Sequence, residues 1–415
     1  MRRGLLLSLA ALVLLPSPVC PQGNPLGPEF RVNTYTTDDQ TWPDVAAGTS
    51  GFVVTWMSAQ DGAGYGVFGQ RYDNSGAPLG PEFRVNTFTT GVQAFPSMAA
   101  DVALNFVVVW PSDGQDGSSY GVFGQRYDSA GGPLGPEFRV NTFTTLGQRF
   151  PAAASDAGGN FVVVWESALQ DGSLYGVFGQ RYDSAGAPFG PEFRVNTYTT
   201  GSQYAPAVAA DPTGNFVVVW ESNGQDGASL GVFGQRYASS GAPLGPEFRV
   251  NTYTTAGQIL PAVAADSAGG FVIGWISGHD GSSYGVFGQR YASSGAPLGP
   301  EFRVNTFTTG SQGYFDVASD AAGYFVVTWN SQFQDGSGFG TFGQRFAGSG
   351  SPLGPEFRIN TYTTSYQGLP AVASDPSGNF IVVWASISQD GSDNGVYGQR
   401  YNAILPVELM RFRVE

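Results

Sequence analysis

Seven times along the chain a short run, apolar at nearly every position, ends in tryptophan: Phe52–Trp56, Phe106–Trp110, Phe161–Trp165, Phe216–Trp220, Phe271–Trp275, Phe325–Trp329 and Phe380–Trp384. A strand with one wet face alternates apolar and polar residues, whereas a strand covered on both faces does not. These runs therefore predict strands packed between two layers. Each sits in the same local order. A proline-led, alanine-rich run such as 206–211 comes before it, and a GVFGQRY-type run such as 230–237 comes after it. Next comes a loop rich in Gly and Pro, then a short EFRVN segment. The DPTGN sequence between the alanine-rich run and the tryptophan run is tight-turn chemistry, with Asp, Pro and Gly in their usual roles. No stretch beyond the first 23 residues shows a helical period.

The unit repeats at a nearly constant interval. The Asn of the VNT or INT motif falls at Asn33, Asn86, Asn141, Asn196, Asn251, Asn305 and Asn360, a spacing of 53 to 55 residues. Four antiparallel strands per unit and seven units predict an all-β, seven-bladed β-propeller of four-stranded blades. A solenoid is the rival, but its coils are usually shorter and its end repeats need distinct caps. The small alanine-rich strand suits the crowded channel wall, and EFRVN then becomes the outer strand of the preceding blade. On this reading residues 29–33 close the seventh blade. Residues 407–415, with a similar MRFRV core, offer a competing closing strand.

Composition fits this picture and adds a compartment. The chain holds 60 Gly and 27 Pro, which without periodicity would suggest disorder, but also 31 Phe, 19 Tyr and 8 Trp. A disordered chain does not carry that much aromatic surface. Residues 1–20 place Arg2 and Arg3 before an apolar stretch that breaks at Pro16, which reads as a secretory signal peptide. The expected division is a leader at 1–23, cleaved somewhere in 19–24, and one propeller at 24–415. No other apolar stretch is long enough to span a bilayer, so no transmembrane segment is expected in the mature chain. The formal net charge is −14 and every basic residue is Arg. This argues against nucleic acid and anionic membrane surfaces as partners.

Chemistry-bearing residues are few. His279 is the one histidine and Cys20, in the leader, the one cysteine, so a zinc or iron site built from several such ligands is excluded. The recurring Asp of the QDG loop, as in Asp116, Asp171 and Asp226, reads as a turn residue. Calcium at those three positions is the alternative, although one Asp with nearby hydroxyls supplies few of the six to eight oxygens calcium takes. No cofactor is otherwise expected. The Asp series that includes Asp101 and Asp211 also reads as turn-forming. The recurring arginines of FRV and GQR read as rim scaffold, able to pair with the Glu of GPEF, such as Glu82 or Glu192, or to cover aromatic faces.

Scaffold positions should agree among the seven units, and free positions should drift. Two places drift. One follows a recurring Gln and reads Thr41-Trp42, Ala94-Phe95, Arg149-Phe150, Tyr204-Ala205, Ile259-Leu260, Gly313-Tyr314 and Gly368-Leu369. The other follows the strand tryptophan and reads Met57, Pro111, Glu166, Glu221, Ile276, Asn330 and Ala385. Both are expected on one face near the channel mouth. Trp42, Phe95, Phe150, Tyr204 and Tyr314 are the candidate ligand-binding residues, since aromatic side chains anchor sugars and protein partners. Glu166 and Glu221, in equivalent places of successive units, are the candidates for paired-carboxylate catalysis, with Asp113 as a third acid.

The FVVVW, QDG and GVFGQR motifs together resemble a group of largely uncharacterised repeat proteins exported by bacteria, over roughly residues 26–401. The resemblance implies a β-propeller in a bacterial extracellular setting, secreted or held at the cell surface, and brings no catalytic residues. The expected function is a non-catalytic extracellular module that recognises a glycan or protein through one propeller face. A glycoside-cleaving enzyme and a structural envelope protein are the alternatives.

Overall fold

The computed structural model describes residues 24–403 and forms a seven-bladed β-propeller, each blade a four-stranded antiparallel sheet. The predicted leader and the 407–415 segment lie outside the described residues. In blade 4 the strands, from channel to rim, are Gln203–Ala210, Phe216–Asn223, Leu230–Tyr237 and Phe248–Arg249. The other blades repeat this order. The outer strand of blade 7 comes from the N-terminal segment, where Phe30 pairs with Gly398 and Arg31 with Tyr397. Of the two candidate closing segments, the 29–33 region supplies this outer strand.

The tryptophan strands are sandwiched as expected. Trp56, Trp110, Trp165, Trp220, Trp275, Trp329 and Trp384 are wholly buried. Each core cluster joins two successive blades: Trp220 and Val218 of blade 4 pack with Val164 and Val177 of blade 3. A buried tryptophan removes roughly 200 Å² from water, a gross gain of about 5 kcal/mol before ordering entropy.

The polar residues on which the units agree are partnered inside the scaffold. The Asn141 side-chain oxygen accepts from Val122 N–H at 2.7 Å, while its amide donates to Phe143 C=O and to Gln148. The third-strand tyrosine hydroxyl reaches the preceding blade, as from Tyr237 to Val195 C=O at 3.3 Å. The Arg–Glu pairing expected at the rim is not what forms. Glu82 accepts from the Thr34 N–H and hydroxyl and from the Gln60 amide, and Glu192 does the same with Thr142 and Gln170. The GQR arginines instead donate to turn carbonyls of the next blade, Arg71 to Ser129 and Ala130. A planar guanidinium fork satisfies two carbonyls at once, while Glu82 is already taken up by Thr34 and Gln60. The aromatic cover also expected does form, with Arg181 5.6 Å from the Phe189 ring centroid.

The inner strand departs from the expected one in a way that shapes the channel. It starts at the recurring Gln, three residues before the proline, in every blade except blade 2, where it starts at Ser97. Its pairing with the tryptophan strand then slips, between Tyr204 and Ala207 in blade 4 and at the same place in the other long inner strands. The slip is a β-bulge, where two residues face one and the extra residue stays unpaired. Proline, which has no N–H to give the ladder, follows the bulged residue in six blades and Phe315 does so in blade 6.

Candidate channel-mouth site

The bulged residues of six blades and the equivalent Phe95, just before the blade 2 strand, form a ring at one end of the channel: Trp42, Phe95, Phe150, Ala205, Leu260, Tyr314 and Leu369. All seven have positive φ, between 21° and 54°, although none is glycine. Such a backbone costs of order 1–3 kcal/mol per residue and persists only where the surrounding structure holds it. Here the bulge, the proline and the sheet on either side impose it, and the result is one side chain per blade at the channel.

The ring is uneven. Trp42 meets Phe95 edge-on at 5.0 Å between centroids and Tyr314 edge-on at 5.6 Å, and Phe95 meets Phe150 at 5.4 Å. These four rings, from blades 6, 1, 2 and 3, form an aromatic arc, with Leu369 holding the place of blade 7 between Tyr314 and Trp42. Phe150 and Tyr314 remain 41 % and 43 % exposed, so the arc is open to solvent. Across the ring, in blades 4 and 5, stand the smaller Ala205 and Leu260. The cavity at this mouth is open, about 520 Å³, and is lined by the ring, its prolines, Tyr204 and four carboxylates.

Two of the carboxylates are the expected Glu166 and Glu221. They are 4 % and 3 % exposed and each reaches forward one blade. Glu166 accepts from Ala205 N–H at 3.3 Å and Glu221 from Leu260 N–H at 2.6 Å. Burial pushes both up to about 7, against the N–H bonds that favour the charged form; Arg149 also opposes the shift at Glu166, and the charge of Glu166 adds to it at Glu221. Arg149 lies 3.5 Å from Glu166, donates to the Tyr175 hydroxyl at 2.5 Å, and sits over the Tyr175 and Phe150 rings.

The other two, Asp44 and Asp316, did not emerge from the sequence. They follow the bulge in blades 1 and 6, where four of the other blades carry Ala and blade 2 carries Ser97. Asp44 accepts from Val45 and Met98 N–H, and Asp316 from Val317 and Val372 N–H. Burial raises Asp44 to about 6 and Asp316 to about 7, the charge of Asp44 adding to the latter. The available signal was an acid on a strand otherwise made of small apolar residues.

The two drifting segments prove to be partners. Arg149 pairs across the strands with Glu166, Tyr204 with Glu221, Ile259 with Ile276 and Gly313 with Asn330. Of the five aromatic candidates, Trp42, Phe95, Phe150 and Tyr314 occupy the ring. Tyr204 lines the same cavity but stands one residue before the bulge, beside Glu221, and Ala205 holds its blade's place in the ring.

The remaining candidates lie elsewhere. Asp113 ends its strand outside the cavity lining. The carboxylates of Asp116, Asp171 and Asp226 each accept the N–H two residues on, within the Asp-Gly turn. No group of three or more His, Cys, Asp or Glu among the described residues is placed to hold a metal. His279 stacks between Tyr253 and Phe287, at 4.1 and 3.9 Å, with Nε2 3.6 Å from Glu301. It takes the place of the Gln that meets this Glu in the other blades.

No family model and no curated protein matches the chain. Among solved structures, a protein of unknown function from Dyadobacter fermentans is similar with a TM-score of 0.56, at 9 % identity over 92 % of this chain and 99 % of that one. An α-L-arabinanase of Penicillium chrysogenum complexed with arabinobiose is similar at 0.48, with 14 % identity over 74 % of this chain and 93 % of that one. NanB sialidase of Streptococcus pneumoniae follows at 0.47, with 9 % identity over 91 % and 71 %. The first shares the fold. The two enzymes are too distant in shape to bear on what this chain does.

Proposed function

We propose that the protein is a non-catalytic extracellular module that takes a glycan into the mouth of its channel. One observation carries this reading: an aromatic arc and a set of buried carboxylates share one cavity, built from positions at which the repeat units differ. A sugar has apolar C–H faces and a rim of hydroxyls. The faces suit Trp42, Phe95, Phe150 and Tyr314, and the hydroxyls can donate to Glu221 and its neighbours. A residue needed only for the propeller would be repeated, as the buried tryptophans are. The leader at 1–23 supports the extracellular, secreted or surface setting. No helix among the described residues is long and apolar enough to cross a membrane.

A glycan array with the mature protein, run with calcium and with chelator, tests this. The expected result is a specific hit weakened by at least about tenfold in Trp42→Ala or Tyr314→Ala. No hit in either condition would move the mouth to a protein partner or leave the propeller a structural role. A calcium-dependent hit, lost on changing Asp116, Asp171 or Asp226, would assign the cation to the QDG loops.

The second reading, glycoside cleavage by Glu166 and Glu221, is favoured by two neighbouring carboxyls held near neutral pH in one cavity. Such a pair can divide acid and base roles. Each, however, has an oxygen bonded to the next blade's backbone, which makes both of them ties between blades. Turnover of the array hit, abolished by Glu221→Gln, would establish the enzyme.

A further inference from the structure

The charge of the cavity is one-sided. Asp44, Asp316, Glu166 and Glu221 line it, and the one guanidinium beside them, Arg149, is already held by Glu166 and the Tyr175 hydroxyl. Glu221 has accepting capacity left over. Its Oε1 accepts from Leu260 N–H, while Oε2 accepts no hydrogen bond among the described residues and is not closed off from solvent; the residue is 3 % exposed and lines the cavity. A carboxylate oxygen with no protein donor, opening on the cavity, is a place where a ligand donor gains most.

The opposite wall adds to the same preference. Aromatic faces carry negative potential and attract cations, most strongly the indole of tryptophan. Trp42 stands at the centre of the arc. A bare metal ion would gain little from such a wall, and no three of the acids among the described residues are placed to hold one. An organic ammonium uses both walls.

We propose that the ligand of this mouth is an amino sugar with a free ammonium group, its nitrogen directed to Glu221 and its ring against the aromatic arc. This rests on the glycan reading and narrows it. The cavity of about 520 Å³ falls in the range of small-ligand sites, about 300–1,000 Å³. The ammonium supplies three donors to carboxylates that otherwise repel each other. It would also draw protons off them. Glu166 and Tyr204 face the Glu221 carboxyl, Arg149 faces Glu166, and the charge of Asp44 acts on Asp316, so the protons released come from these two acid pairs.

Calorimetry on the whole protein at about pH 6.5, where a sugar amine is largely charged and the acids are part-ionised, compares glucosamine oligomers with N-acetylglucosamine oligomers of the same length. The glucosamine oligomer is expected to bind at least about tenfold more tightly, with a heat that varies with the buffer because protons are released. Glu221→Gln, nearly isosteric and checked by its thermal melt, should bring the two within about threefold. Equal or tighter binding of the acetylated oligomer overturns the charge preference and leaves the glycan reading standing. Failure of both oligomers, with tetramethylammonium still bound in a Trp42-dependent way, overturns the sugar and keeps the cation. Failure of all three overturns both.

Discussion

The two ends of the channel are made by the same seven inner strands and are chemically opposite. At the hairpin end, Asp101, Asp156, Asp211, Asp266, Asp320 and Asp375 recur. The Asp211 carboxylate shows why: it accepts from the N–H groups of Thr213 and Asn215, the Thr213 hydroxyl and the Asn215 amide, all within its own turn. At the other end the bulge presents Trp42, Phe95, Phe150, Ala205, Leu260, Tyr314 and Leu369 to a shared space. Residues whose partners are themselves repeated, within the unit or across to the next blade, recur. Residues that face the shared open space of the mouth differ.

This contrast can be broken most directly through stability. Asp211→Ala removes four hydrogen bonds to a carboxylate and should cost about 2–3 kcal/mol in urea unfolding, against less than about 1 kcal/mol for Leu260→Ala at the mouth. Comparable losses would mean that the mouth is as much scaffold as the turn.

The next largest effect is on binding. Ala205→Tyr fills the open side of the ring with a side chain its blade can hold, as blade 6 holds Tyr314. It should lower affinity for the array hit by at least about tenfold while the melting temperature moves by only about 1–2 °C. Unchanged affinity would place the ligand elsewhere.

A smaller effect is expected from charge. Burial holds Glu221 protonated up to about 7, above its ordinary value of 4.5, so the folded chain binds more protons than the unfolded one between those limits. Stability from this group is full below about pH 4.5 and is lost as the pH rises through about 7. Glu221→Gln should therefore stabilise the fold by on the order of 1–2 kcal/mol at about pH 8 and by almost nothing at about pH 4. Chemical denaturation at both values measures it. Equal effects at the two would show that packing, not charge, governs the site.

The smallest effect concerns the QDG turns, on the same face but away from the cavity. With the carboxylates of Asp116, Asp171 and Asp226 bonded within their turns, millimolar calcium should shift the melting temperature by less than about 1 °C. A rise of several degrees, lost in Asp171→Asn, would reassign these turns to metal binding.

Much of this was legible in the chain. Unbroken apolar runs, turn residues at fixed offsets and a period near 54 determined strand identity and blade number, because each of these is local or follows from repetition, whereas the choice of 29–33 as an outer strand of blade 7 came from the structure. The drift after Gln203 and after Trp220 marked the mouth, because scaffold residues cannot drift freely. The tertiary structure alone decided which drifting residue enters the ring. A one-residue bulge turns every following side chain to the other face, so it places Ala205 in the ring and leaves Tyr204 beside Glu221. It alone brought Asp44 and Asp316 from blades 1 and 6 into one cavity, near enough for the charge of one to act on the other, which needs a closed ring. And it alone gave the GQR arginines to carbonyls of the next blade instead of to Glu82 and Glu192, since a guanidinium bonds whatever acceptors the packing of neighbouring blades puts within its reach.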